Sequence, residues 1–229
     1  FEELGPTMNS LFKEIRNGLD KKIRNTKIAE EYMQNLIGDT DITQWTDKKA
    51  KATTFKLSTG DSITLTPAQV MSLYLLHRQP QARDHIYIGG IKQAPTVTKG
   101  KYGYKISKSY KPAKVIYKDV QDIINTLTPE QKRIAEGIGK FFTEVTAQWG
   151  NEVSMKLYGY EKFTEENYFP IVSDKNYLNV AFGETTDATL KNMGITKSRI
   201  KGANNPVIIE DVFDVYTRQA DQMGSYNAF

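Results

Sequence analysis

The residues best suited to chemistry lie between Lys99 and Lys118. Lys99, Lys101, Lys105, Lys108, Lys111, Lys114 and Lys118 are interleaved with Tyr102, Tyr104, Tyr110 and Tyr117, and no acidic residue falls among them. Lysines at this density neutralise phosphates and release counterions, while exposed tyrosine rings stack on unpaired bases for about 1–3 kcal/mol each. Lys99, Lys101, Tyr102, Tyr104, Lys105, Lys108, Tyr110, Lys111 and Lys114 are therefore the candidate nucleic-acid-binding residues. The same alternation fits an edge hairpin or a protein contact, with lysines blocking aggregation and tyrosines packed inward. Charge is uneven along the whole chain: residues 1–118 hold 20 Lys and Arg against 11 Asp and Glu, and residues 119–229 hold 11 against 16. Such asymmetry suits a surface facing a polyanion, or two parts of a protein that attract each other.

Other spacings that could carry chemistry have simpler structural readings. Gly137-Ile138-Gly139 sits inside a helical stripe, follows no strand and lacks the third glycine of a dinucleotide loop. Gly100-Lys101 and Gly139-Lys140 lack the Ser or Thr that follows a P-loop lysine. Asp84-His85 could support base chemistry, but no partnered nucleophile accompanies it, and capping or surface duty fits both His77 and His85 better. Asp39-Thr40-Asp41 resembles a metal-diphosphate Asp-x-Asp, yet it directly follows the helix-ending Gly38, where turn and capping roles explain it. Glu210, Asp214 and Asp221 fall within about 40° of one another on a helix of 3.6 residues per turn. They lie opposite Ile208, Val212, Val215, Tyr216 and Met223, so they read as a solvated face rather than a metal cluster. The absence of cysteine excludes a thiol nucleophile, a disulfide framework and Cys-ligated zinc or iron–sulfur sites. No catalytic, metal-ligating or cofactor-binding residue is assigned, no cofactor is expected, and the chain reads as non-enzymatic.

The elements that must position these residues follow from apolar spacing and punctuation. Met8, Leu11, Phe12, Ile15, Leu19 and Ile23 recur at helical spacing, and Ile28, Tyr32 and Leu36 continue after a phase slip. Two helices separated near Asn25-Thr26 and closed by Gly38 are expected. Alternation at Phe55, Leu57, Ile63 and Leu65 around Ser58–Ser62 predicts a hairpin. Thr66-Pro67-Ala68-Gln69 and Thr128-Pro129-Glu130-Gln131 are capping-box starts with proline at the first helical position. The first opens an almost wholly apolar helix that Pro80 interrupts, and a short helix is expected over Asp119–Leu127. The second carries the stripe Ile134, Ile138, Phe141, Val145, Trp149, Val153 and Leu157 up to Gly159. Residues 176–205 read as loop, and Pro206 is expected to open a final helix. The fold class is α+β and predominantly α-helical: amphipathic helices around a long central helix, with one or two small β-hairpins. The division is an N-terminal helical segment, 1–38, and a mainly helical domain, 39–229, with hairpins near 53–66 and 97–117. The uncapped helix running to Phe229 and the start at Phe1 read as a piece excised from a longer chain. No apolar run approaches the ~18 residues of a membrane span, and no signal-peptide pattern opens the sequence.

Three segments, LTPAQVMSLYLLHRQPQARDHIYIGGI (Leu65–Ile91), WGNEVSMKLYGYEKFTEENYFPIVSD (Trp149–Asp174) and GANNPVIIEDVFDVYTRQADQMGSYNAF (Gly202–Phe229), together resemble stretches of large polyvalent proteins. These are the very long, multidomain proteins of bacteriophages and prophages. The resemblance covers about half of the chain and carries no catalytic signature. It implies a structural or interaction domain whose partners are other parts of its parent polypeptide or other phage proteins. It also implies a location in the virion or the bacterial host cytoplasm. Two alternatives stand beside it: a nucleic-acid-associated module that uses the arm 99–118 on DNA or RNA, and an incomplete fragment of an enzyme.

Overall fold

Capping chemistry sets most of the helix boundaries. The computed structural model describes residues 5–46, 52–101, 103–172 and 205–229; the expected 176–205 loop lies almost wholly outside them. In chain order come α1 (Gly5–Ile37), the single turn α2 (Thr43–Thr46), β1 (Thr53–Lys56), β2 (Ser62–Leu65), α3 (Pro67–Arg78) and α4 (Pro80–Gly89). Strands β3 (Ile91–Gln93), β4 (Thr96–Gly100) and β5 (Gly103–Lys108) precede α5 (Tyr117–Ile124). The chain continues through α6 (Pro129–Lys140), a π-helical turn (Phe141–Thr146), α7 (Ala147–Tyr158), β6 (Val207–Ile209) and α8 (Val212–Ala228). The molecule is predominantly helical with small two-stranded sheets, as the sequence implies. Among the described residues no helix is long and apolar enough to cross a membrane.

Both expected capping boxes form. Thr66 accepts from the Gln69 N–H at 3.2 Å while Gln69 accepts from the Thr66 N–H at 3.0 Å. Thr128 and Gln131 repeat the exchange at 3.2 and 2.9 Å. Each exchange satisfies two N–H groups that a helix start leaves without partners.

The α6–π–α7 rod is the central support. Ile134, Ile138, Phe141 and Phe142 are fully buried, and the Phe141 ring lies 4.7 Å from Tyr216, 5.0 Å from Tyr32 and 5.9 Å from Trp149. The expected stripe holds as far as Trp149 and then fails, because Leu157 is 63% exposed while Gly150 and Ser154 face inward. A four-residue repeat drifts by about 40° per step around a 3.6-residue helix. The wider π turn lets adjacent Phe141 and Phe142 both point inward and resets the phase beyond them.

Three expectations near the ends need correction. First, α1 is one helix through Asn25: this buried side chain is drawn inward to donate to the Gly224 carbonyl and to Asn227 Oδ1, at 3.3 and 3.0 Å. Second, Pro206 leads into a strand. Val207, Ile208 and Ile209 pair in parallel with Ile91, Lys92 and Gln93 and are all buried. Helix α8 starts only at Val212, with Asp211 accepting from the Phe213 N–H at 2.9 Å. Third, the second hairpin ends at Lys108. Ala113 then bridges to Ile91, and α5 starts at Tyr117, two residues before the expected Asp119. That bridge passes directly over Gly90, at φ 87°, where a Cβ would stand 2.6 Å from the Ala113 carbonyl oxygen.

Candidate interaction surfaces

The basic arm is a two-stranded antiparallel hairpin of β4 and β5. The backbone register sets Lys99 opposite Tyr104, Thr98 opposite Lys105 and Thr96 opposite Lys108. Lys99, Lys101, Lys105 and Lys108 are exposed. Tyr102 lies outside the described residues. Lys108 Nζ stands 4.8 Å from the centre of the half-buried Tyr110 ring, a cation–π arrangement. Lys111 follows, exposed, in the return segment. Lys114 is a fastener: Nζ donates to the Ile88 carbonyl at 2.8 Å and its N–H to Asp61 at 2.9 Å. The structure therefore gathers Lys99, Lys101, Lys105 and Lys108 on one projecting hairpin and separates Lys114 from them.

The region from Ser58 to Asp119 fastens the base of this arm to the body. Buried Asp119 accepts from the Ser58 N–H at 2.9 Å, the Ser58 hydroxyl at 2.6 Å and the Ile116 N–H at 3.0 Å. Burial works against its charge, but these donors outweigh it and hold the carboxyl below the usual carboxylate range.

The other motifs resolve structurally. Gly137 belongs to a close crossing of α1 over α6: a Cβ there would lie 2.3 Å from Leu36, and its carbonyl accepts from the Tyr32 hydroxyl at 2.9 Å. Asp41 accepts from the Thr43 N–H and hydroxyl at 3.0 and 2.5 Å, which starts α2. His77 Nε2 lies 2.7 Å from the Tyr87 hydroxyl, and burial, with Arg83 nearby, shifts its pKa down. Asp214 and Asp221 are exposed, but Glu210 is not on their face. It precedes α8, is buried, and accepts both guanidinium arms of Arg218 at 2.9 and 2.8 Å. Among the described residues no group of three or more His, Cys, Asp or Glu could hold a metal ion.

The surface that sequence reasoning missed belongs to α1. Its second half is anchored: Tyr216 donates to the Ala29 carbonyl at 2.7 Å, and Leu36 meets Gly137. Its first half keeps the expected helical stripe but leaves it partly exposed, with Met8, Leu11, Phe12, Ile15 and Leu19 each 40–49% exposed. Beside the second half, Ala29, Met33 and Ile37 of α1 join Phe213, Tyr216 and Ala220 of α8 around an apolar groove of about 730 Å³. The signal was present in the sequence, since five large apolar residues lie on one face. Periodicity reports an apolar face without reporting what covers it.

Comparison with known proteins adds no assignment: no family model, curated protein or solved structure matches this chain.

Proposed function

We propose that this chain is a non-enzymatic interaction domain of a long phage- or prophage-encoded protein, docking through α1. The observation that carries the docking reading is the run of Met8, Leu11, Phe12, Ile15 and Leu19, each 40–49% exposed, on one helical face. Contiguous apolar surface of this kind is what protein contacts bury. The phage context rests on the resemblance of the three segments. Photo-crosslinking tests the docking: p-benzoylphenylalanine at Phe12 is expected to give protein adducts in the cells that produce the chain. The same probe at Asn17, on the opposite side of the helix, is expected to give none. No adduct from position 12, or reproducible turnover by the purified chain, would contradict the reading.

A second reading is favoured by the projecting hairpin with Lys99, Lys101, Lys105 and Lys108 exposed. It predicts anisotropy-detected binding to single- or double-stranded DNA that falls steeply with salt. Binding should vanish when Lys101, Lys105, Lys108 and Lys111 are changed to Glu, whereas no binding at low salt would remove this reading.

A further inference from the structure

The exposed stripe and the groove occupy the same face of one helix. Met8, Phe12, Ile15, Leu19, Lys22, Thr26, Ala29 and Met33 succeed one another at alternating spacings of four and three. This is the seven-residue repeat with which a helix pairs along another helix. The first four of these residues belong to the stripe on the first half of α1, with Leu11 beside them. Thr26, Ala29 and Met33 line the groove on the anchored half. One helix therefore presents an apolar ridge at one end and an apolar receptacle at the other.

We propose that the occupant of this surface is a second copy of the chain, with the two α1 helices antiparallel about a two-fold axis near Ile23. The stripe of each copy then lies in the groove of the other. This rests on the docking reading above and names its partner. The ridge and the receptacle lie at opposite ends of α1, and this sets the orientation. One flank is already used by the chain itself: Gly18 abuts Phe229, Asn25 binds Gly224 and Asn227, and Tyr32 binds Gly137. The other flank is Asn9, Arg16, Ile23 and Glu30, all exposed. A parallel pair would lay ridge on ridge and receptacle on receptacle. An antiparallel pair lays ridge in receptacle and sets the two open flanks together along one side of the seam and the two occupied flanks along the other, with Arg16 of each copy beside Glu30 of the other and Ile23, 66% exposed, packing on its own counterpart. Neither Arg16 nor Glu30 has an ion pair among the described residues. A contact in which one patch meets itself is the isologous arrangement that closes at two copies. Lys22, paired with Asp221 at 3.1 Å, puts a charge at the middle of the seam, where a polar residue fixes register.

Sedimentation velocity of the full chain across a concentration series tests this. A monomer–dimer equilibrium is expected. Arg16→Glu, which sets Glu against Glu30, is expected to weaken it at least tenfold, and Arg16→Glu with Glu30→Arg to restore it. Both positions are exposed, and far-ultraviolet circular dichroism checks that the helix content is unchanged. A monomer at every concentration, or a dimer indifferent to Arg16→Glu, overturns the proposal. The Phe12 crosslink separates the two claims. An adduct with a different protein keeps the docking reading and removes the second copy, while no adduct removes both.

Discussion

At the scale of single residues, several polar groups inside this protein are fastened in pairs and triples. Arg218 and Glu210 form a bidentate pair that is largely shielded from solvent, with side-chain exposures of 14% and 7%, at the corner between β6 and α8. Removing one partner of such a pair leaves an uncompensated buried charge, which costs about 3–5 kcal/mol. Arg218→Ala should lower the unfolding free energy from urea titration by that amount, and a loss under 1 kcal/mol would contradict the buried-pair account. Asp119 gives a pH-dependent case. Its folded pKa is depressed, so its stabilisation is present above its unfolded value of about 3.9 and is lost as pH falls through the lower folded value. Asp119→Asn should cost about 2 kcal/mol at pH 7. That deficit should be constant down to about pH 4 and shrink below it, so a deficit unchanged at pH 2 would contradict the assignment. Little of this was legible in the sequence. Glu210 read as part of a solvated helical face because the helix start was placed at Pro206, six residues early.

At the scale of elements, local signals were read well where the chain supplies both partners of an interaction. The boxes at Thr66 and Thr128, the hairpin of β1 and β2, and the left-handed Gly38 and Gly159 are each decided within a few residues. Elements decided by distant partners were misread. Strand β6 exists because β3 lies alongside it. The break expected at Asn25 is absent because α8 supplies partners for the asparagine. The π turn is likewise invisible to a periodicity count, since two adjacent phenylalanines are compatible with either face. The central rod carries its own prediction. Phe141 is fully buried among four aromatic rings, so Phe141→Ala should cost about 3–5 kcal/mol. A melting temperature unchanged in that variant would count against the rod as the core.

At the scale of the whole molecule, two exposed surfaces stand out among the described residues, one apolar and one basic. The basic hairpin was legible as a run of lysines and tyrosines, although the structure turns Lys114 from a candidate contact into an anchor of the segment. The apolar face of α1 was legible as a helix but not as an exposed face, because its stripe has the same periodicity that a core-facing helix would have. Hydrogen exchange of the purified chain tests the central claim most directly. The account predicts that amides of residues 8–19 exchange slowly at high protein concentration and faster on dilution, while those of buried α3 do not change. Exchange of the 8–19 segment at one rate, fast or slow, across all concentrations would contradict it.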